Sequence, residues 1–215
     1  MKRISLAFAI LAASGLLFTA FKKSEPVPVK KQENPARATT KWTVDKSHSN
    51  VRFTVTHMVV SEMEGSFRGF DGSMEHTKAD FSDAKIVWTI DVNSINTDNE
   101  NRDKHLKNED FFAAEKYPQI KFQSTAFKPL GDNKYKLEGN LTVRDVTKPV
   151  VFDVTYGGTL KTQRGNKAGF KAKTVIDRFE YGLKWSRMTE AGGLTVGKDV
   201  SISVNIELDE VKAAQ

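Results

Sequence analysis

The chain of 215 residues contains no cysteine. Disulfide bonds, thiol catalysis and cysteine-ligated metal sites are therefore excluded, as is a lipid anchor attached to cysteine. The four histidines match no metal-ligand spacing, because no pair stands four residues apart around a glutamate on a helix; they are His48, His57, His76 and His105. The sequence predicts neither a metal site nor a cofactor.

The folded part of the chain has no net charge. Residues 1–41 contain eight Lys or Arg and two Glu, whereas residues 42–215 contain 25 basic and 25 acidic residues. The formal charge of +6 thus lies in the N-terminal segment, and the remainder has no net attraction for phosphate. Because no recognised nucleic-acid-binding motif is present either, we predict that the protein does not bind nucleic acid.

The N-terminal region divides into two segments. A basic start at Lys2 and Arg3 precedes an apolar run, so residues 1–21 resemble a secretory signal peptide. The apolar run is also just long enough to span a membrane, so an uncleaved membrane anchor is an open alternative to a cleaved signal peptide. Residues 22–41 are rich in Lys and Pro and predict a flexible tether. We expect an exported protein, periplasmic or otherwise, with a basic tether that contacts an anionic membrane surface.

From Trp42 onward, apolar and polar residues alternate. Successive strand side chains point to opposite faces, so each segment has one apolar face. Many such strands without helical spacers indicate an antiparallel sandwich or barrel. We predict an all-β, eight-stranded antiparallel barrel over residues 42–210 with a C-terminal tail at 211–215. The predicted strands are 42–45, 49–60, 63–74, 84–95, 120–127, 134–143, 150–156, 168–176 and 200–208.

One segment interrupts this alternation. Thr97 and Glu100 have the spacing of a capping box, which predicts a short helix with Thr97 as its N-cap. Leu106 and the Phe111-Phe112 pair can face inward from this insertion. Pro118 ends the irregular segment, because its ring stops a helix and biases the preceding residue to extended geometry.

The apolar face of an eight-stranded barrel encloses either packed side chains or one small ligand. Large inward residues favour a filled core, whereas Gly65, Gly139 and Ala172 leave room, and the pattern alone keeps both alternatives open. The predicted pocket residues share the inward phase of their segments; they are Phe53, Val55, Gly65, Phe67, Trp88, Ile90, Phe111, Phe112, Phe122, Gly139, Leu141, Phe152, Phe170, Ala172 and Ile202.

Four polar or amphipathic residues are candidates for contact with a ligand head group: His57, Arg102, Arg178 and Trp185. Each also has a structural interpretation. His57 can cap a strand end, Arg102 can form weak ion pairs on a solvated helix face, and Arg178 can stack on neighbouring aromatic rings. No catalytic residue is predicted, because Asp45, His48 and Ser49 lie in one turn and cannot adopt triad geometry.

An ordered set of motifs carries a family resemblance. Trp42-x-Val44-Asp45-x-x-His48-Ser49 opens the domain, and Gly65-x-Phe67, Arg102-Asp103-x-His105-Leu106 and Asp110-Phe111-Phe112 follow. Tyr117-Pro118-x-Ile120-x-Phe122, Gly139-x-Leu141-Thr142-Val143, Arg178-x-x-x-Gly182 and Val196-Gly197-x-x-Val200 complete the set. Residues 42–210 therefore resemble the YceI-like family of exported, lipocalin-like proteins. The resemblance implies an elongated barrel that holds a long isoprenoid or similar lipid and performs no catalysis.

Two hypotheses about function follow. In the first, the barrel binds a long-chain isoprenoid or another amphiphilic lipid, as carrier, store or sink. In the second, the barrel has a filled core and acts in a stress response through contacts with other proteins. The sequence leaves the oligomeric state open, a homodimer included.

Overall fold

A computed structural model describes residues 38–163, 165–188 and 192–212. The predicted signal peptide and residues 22–37 of the predicted tether lie outside these residues. The strands are β1 (Thr40–Val44), β2 (Asn50–His57), β3 (Ser61–Phe67), β4 (Phe70–His76), β5 (Lys85–Asp91), β6 (Ile95–Asn96), β7 (Gln119–Gly131), β8 (Lys134–Val143), β9 (Val146–Thr162), β10 (Gly165–Asp177) and β11 (Val196–Glu210). The helix is α1 (Glu100–Lys107), and 3-10 turns span Val92–Ser94 and Arg178–Tyr181.

The sheet closes on itself because β11 pairs along both of its edges. β10 lies beside one edge, in register from the Lys167–Asp209 pair to the Asp177–Asp199 pair. β1 pairs with residues 208–210 on the other edge, and β2 pairs with residues 196–205. Closure pairs the edges of the barrel wall except at the upper end, where β6 pairs with β3 and not with β7. The predicted all-β, eight-stranded antiparallel barrel with one short helix is thereby confirmed.

Eleven strands fill eight positions around the barrel because three positions are each divided between two strands. β1 and β2 share one position, β3 and β4 the next, and β5 and β6 the third. The sequence predicted one strand over 63–74, but the chain bends at Arg68 and Gly69, where the Gly69 carbonyl accepts the Asp91 N–H at 2.8 Å.

The two ends of the barrel differ in what closes them. We call the upper end the one that carries the β2–β3 turn at 58–60, the segment 97–118 with α1, the β8–β9 turn at 144–145, and the connection from Arg178 to Thr195. The lower end carries the loop at 77–84 and the β7–β8 turn at 132–133. The segment 97–118 covers the interval between β6 and β7, which do not pair with each other.

The barrel begins slightly earlier than the sequence suggested. Thr40 and Lys41, which were predicted to belong to the tether, pair with His76 and Glu75 of β4. The Lys41 ammonium also lies 3.0 Å from the Glu75 carboxylate. Composition could not show this, because both side chains are polar and the pairing uses the backbone.

The helix also begins later than predicted. Its N-cap is Asn99, whose side-chain oxygen accepts the Arg102 N–H at 3.0 Å, and not Thr97. The Thr97 hydroxyl instead donates to the Asp103 carboxylate at 2.6 Å, so the predicted capping box is wrong in its position. None of the helices in the described residues is long and apolar enough to cross a membrane.

The glycines on the inward stripes are covered by aromatic rings from adjacent strands. A Cβ atom on Gly65 would lie 2.2 Å from the Phe53 ring, and one on Gly139 would lie 2.4 Å from the Phe122 ring. Trp88 covers Gly72 in the same way, at 1.8 Å. The expectation that Gly65 and Gly139 leave room for a ligand is therefore wrong, because the missing side chain is replaced by a neighbouring ring.

Replacing Gly139 by alanine should consequently destabilise the barrel. The new Cβ would lie 2.6 Å from the Gln123 carbonyl oxygen, and a backbone atom cannot move aside cheaply. Overpacking of this kind costs about 1–3 kcal/mol, which a urea unfolding curve would measure. Gly169→Ala is the matched control in a strand, since its Cβ meets nothing within 4 Å. Equal stability of the two variants would contradict the packing role of Gly139.

Candidate functional site: an apolar cavity in the barrel

A cavity of about 240 Å³ runs along the barrel interior. Its wall is apolar except for Arg52, Ser73 and Arg178, and it receives side chains from both halves of the barrel. Near the upper end lie Val55, Val196 and Leu183, and deeper in the barrel lie Met74, Phe127, Leu137 and Leu208. The interior is therefore hollow and water-repellent, with space along its axis for an apolar molecule.

The structure brings most of the predicted pocket residues together around this cavity. Gly65 and Gly139 do not line it, because Phe53 and Phe122 cover them. The predicted residues that do line it are Phe53, Val55, Phe67, Trp88, Ile90, Phe111, Phe112, Phe122, Leu141, Phe152, Phe170, Ala172 and Ile202. Lining residues that the prediction omitted lie on the same inward stripes, among them Ile86, Ile120, Val143, Val154, Ile176, Val200, Val204 and Ile206. Extending every stripe to the ends of its strand would have found them.

Part of the wall does not come from strands. Leu106, Phe111 and Phe112 reach the cavity from the segment 97–118. Phe112 contacts Phe67 of β3 edge to face, with 6.0 Å between ring centres. The segment is thus a cover over the interval between β6 and β7, and its apolar residues complete the enclosure.

Arg102 joins α1 to Thr97 at the start of this cover and is not among the residues that line the cavity. Its Nε donates to the Thr97 hydroxyl at 2.8 Å, and its Nη2 donates to the Thr97 carbonyl at 2.7 Å. The guanidinium is therefore committed to the start of the helical segment. The structure gives Arg102 an anchoring contact in place of the predicted head-group contact.

Arg178 is the one buried charged side chain along the cavity in the described residues, 3 % exposed. Its guanidinium donates to three backbone carbonyls: Gly197 at 2.8 Å, Val196 at 2.9 Å, and Leu183. Burial lowers the pKa of Arg178, and the Asp177 carboxylate offsets this only in part. A guanidinium stays charged in proteins, so these carbonyls compensate its desolvation and the side chain ties the Arg178–Thr195 connection to β11.

The other two head-group candidates lie outside the lining. His57, at the end of β2, is half-buried and pairs through its backbone with Val196. Trp185 packs on His105 and Phe111, with ring centres 5.0 and 5.2 Å apart, and so covers Phe111 from outside. The Asp110 carboxylate lies 2.9 Å from Nε2 of His105. These residues brace the cover without reaching into the cavity.

An aromatic cluster that the sequence analysis missed closes the lower end. Phe81 packs on His76, Tyr156 and Phe170, with ring centres 4.6, 5.3 and 5.6 Å apart. The Trp42 indole N–H donates to Nε2 of His76 at 2.9 Å, and Nδ1 of His76 lies 2.8 Å from the Lys78 carbonyl oxygen. His76 is therefore hydrogen-bonded through both ring nitrogens within the plug. Phe81 lies in the loop between β4 and β5, outside the alternating strand pattern, and that pattern therefore could not predict it.

One cluster in the described residues has the ligand types of a metal site, namely Asp45, His48 and Glu207. The Lys167 ammonium already contacts the Asp45 and Glu207 carboxylates at 3.0 and 2.8 Å. Hydrogen bonds from His48 and Lys167 hold the pKa of Asp45 well below its usual range. The negative charge of the cluster is thus balanced by an internal cation that joins β10 to the bend between β1 and β2.

The geometry defines a class of protein. A closed eight-stranded antiparallel barrel around an apolar cavity, with one end plugged, is the architecture of lipocalin-like binding proteins. The Arg178 guanidinium is bonded to the protein itself, whereas the buried indole N–H of the lining residue Trp88 has no hydrogen-bond partner among the described residues, so the cavity provides shape, apolar surface and one unpaired donor.

Sequence comparison identifies the family. The chain matches the YceI-like domain over residues 42–208, and it belongs to the YceI-like family. A UPF0312 protein of Staphylococcus aureus strain N315 is 36% identical over 170 residues, which are 78% of this chain and 96% of the relative. The domain thus makes up nearly the whole of that protein.

Solved structures agree with this assignment. The chain is similar to BcnA of Burkholderia cenocepacia, with a TM-score of 0.68, 25% identity, and coverage of 76% of this chain and 98% of BcnA. It is also similar to the YCEI protein of Campylobacter jejuni, with a TM-score of 0.63, 30% identity, and coverage of 79% and 98%. A polyisoprenoid binding domain from Saccharophagus degradans shares the fold, with a TM-score of 0.57, 14% identity, and coverage of 79% and 98%.

Removing the Arg178 guanidinium should loosen the upper end. Arg178→Met leaves three carbonyls without their charged donor, which we expect to lower the free energy of unfolding by about 3 kcal/mol. Arg68→Met, at an exposed arginine of the β3–β4 bend, is the control and should change stability little. Amide hydrogen exchange of residues 192–200 should quicken in Arg178→Met alone. Unchanged exchange there would show that Arg178 does not hold this connection.

Proposed function

We propose that the barrel binds a long-chain isoprenoid or a similar amphiphilic lipid in its cavity, as carrier, store or sink. The observation that carries the proposal is an interior cavity of about 240 Å³ whose wall is almost wholly apolar. Burial of apolar ligand surface would supply the binding free energy, at about 25 cal/mol per Å². The cavity weighs against the alternative of a filled barrel that acts only through surface contacts.

The proposal is non-catalytic. Among the described residues that line the cavity there is no carboxylate or imidazole, so none of them can act as a general base for Ser73 there. Arg178 is held by backbone carbonyls, so it is not free to polarise a substrate. The YceI-like family, which is a family of binding proteins, and the polyisoprenoid binding domain of the same fold support this choice.

Cavity size limits what enters without rearrangement. A cavity of about 150 Å³ accommodates one benzene ring, so 240 Å³ holds about ten carbon atoms. A longer chain requires the wall to widen. The cover formed by Leu106, Phe111 and Phe112 lies outside the strand ladders, and such segments open at lower free-energy cost than the core of a sheet. We therefore propose that this cover yields as the ligand enters.

A substitution that fills the cavity tests the proposal. Ala172 lines the cavity from β10, and a phenylalanine there would occupy the ligand volume. Ala172→Phe should weaken binding of a ten-carbon isoprenoid alcohol, measured by titration calorimetry, by at least about tenfold, because about 1.4 kcal/mol of apolar contact is lost. Lys173→Phe, on the outward face of the same strand, should bind like the parent. Undiminished binding by a folded Ala172→Phe variant would place the ligand elsewhere.

Export is part of the proposal. It is supported by the basic start at Lys2 and Arg3 and by the apolar run that follows. Fractionation of cells that express the full chain should find the barrel outside the cytoplasm, either released or held at the membrane. A soluble cytoplasmic pool of intact chain would refute it.

A further inference from the structure

Apolar side chains project from the upper end of the barrel. Met58, Val59 and Val60 form the turn between β2 and β3, and they are 48 %, 68 % and 86 % exposed. Met188 is 66 % exposed on the adjacent connection. A run of three exposed apolar residues is unfavourable in water unless it serves a function, and exposed apolar patches mark interaction sites. We call these four residues the apolar tip.

The turn has a sequence that its backbone does not favour. Met58 and Val59 have φ angles of 50° and 66°, and the Val60 N–H donates to the His57 carbonyl at 3.2 Å. Two consecutive positive φ values at a hairpin turn favour Asn-Gly, and a β-branched residue in this region is strained. A turn that only joined two strands would be more stable with Asn-Gly. The exposed apolar side chains therefore require an explanation other than folding.

The apolar tip lies next to strands that line the cavity. The Met58 N–H donates to the Thr195 carbonyl at 2.9 Å, directly before Val196, which lines the cavity. On β2, the lining residue Val55 lies three positions before Met58. The apolar tip thus adjoins the strands that enclose the cavity.

Basic residues lie on the connection that carries Met188 of the apolar tip. The Thr195 N–H donates to the Arg187 carbonyl at 2.8 Å, which places Arg187 beside the tip, and its guanidinium lies 5.9 Å from the centre of the Trp185 ring. Lys184 and Arg187 are both exposed, and neither forms an ion pair with any residue that the structure describes. Glu62, at the start of β3, is an acidic neighbour. Exposed cations beside apolar side chains and a tryptophan suit a surface of anionic lipid head groups.

We infer that the apolar tip docks the upper end of the barrel on a lipid membrane that contains anionic lipids. The apolar side chains enter the head-group region while Lys184 and Arg187 contact the lipid phosphates. The choice of a membrane as partner rests on the proposed function, since a lipid of low solubility reaches the cavity most readily from a bilayer. Docking would let the ligand pass between bilayer and cavity without crossing open water.

Met58→Asn/Val59→Gly tests this inference in the chain from Ala36 to Gln215, a compact unit that contains the whole barrel. The variant gives the turn its preferred sequence, so its unfolding midpoint should equal or exceed that of the parent. Its binding to vesicles of phosphatidylcholine and phosphatidylglycerol, measured by co-sedimentation, should fall by about tenfold or more because two apolar side chains are lost. Val151→Thr/Val175→Thr, at 48 % and 61 % exposed valines of the barrel wall, should bind like the parent.

The outcomes separate docking from ligand binding. The parent and the tip variant should bind the soluble ten-carbon isoprenoid alcohol equally well. If neither protein binds the alcohol, the proposed function is refuted, while the vesicle result still tests docking. Equal vesicle binding by parent and tip variant would overturn the inference. A parent that binds no vesicles but self-associates through the tip, seen by light scattering and lost in the variant, would also overturn it in favour of a second copy of this chain.

Discussion

The structure depends on the pairing of β11 with strands on both of its sides. β10 lies along one edge, while β1 and β2 succeed one another along the other. At the bend between them, the Asp45 N–H donates to the Glu207 carbonyl at 2.8 Å and the Glu207 N–H donates to the Ser49 hydroxyl at 2.9 Å. Lys167 of β10 bridges Asp45, Glu207 and Asp209 at 2.7–3.0 Å. These bonds hold a divided strand at the seam, and without the seam there is no enclosed interior.

Closure decides what each inward residue does. In a closed barrel, large side chains compete for the axis, and the space beside a glycine is filled by a ring from the next strand, as Phe53 fills that beside Gly65. The remaining volume collects along the axis. The size of the cavity therefore depends on how the rings pack on the wall and on the barrel diameter that eight strands set. Space remains next to smaller lining residues such as Ala172.

The period-two alternation was sufficient to predict the barrel and most of the cavity wall, because an inward phase is a local property of a strand. The same alternation could not predict that Phe122 turns over Gly139, since that contact depends on the register between β7 and β8. Nor could it assign Arg102 and Arg178. Their partners are mostly backbone carbonyls and hydroxyls, which carry no sequence signature. Phe81 was missed for a related reason, because it reaches the plug from a loop with a φ of 59°.

The buried polar groups of the upper end serve the architecture of the site. Arg178 joins the Arg178–Thr195 connection to β11, and Arg102 joins α1 to Thr97 at the start of the cover. The Trp88 indole N–H is the buried donor of the cavity wall that stays unpaired among the described residues. Such a wall selects by shape and apolar area. Under the proposed function, we expect it to distinguish ligands by chain length and branching more than by head group.

The central claim is that the interior holds a lipid. Organic extraction of the purified protein followed by mass spectrometry tests it most directly, with Ala172→Phe processed in parallel. The account predicts an isoprenoid or similar chain-bearing lipid in stoichiometric amount from the parent and little from the variant. Extracts free of lipid from a parent that also fails to take up the isoprenoid alcohol would contradict it.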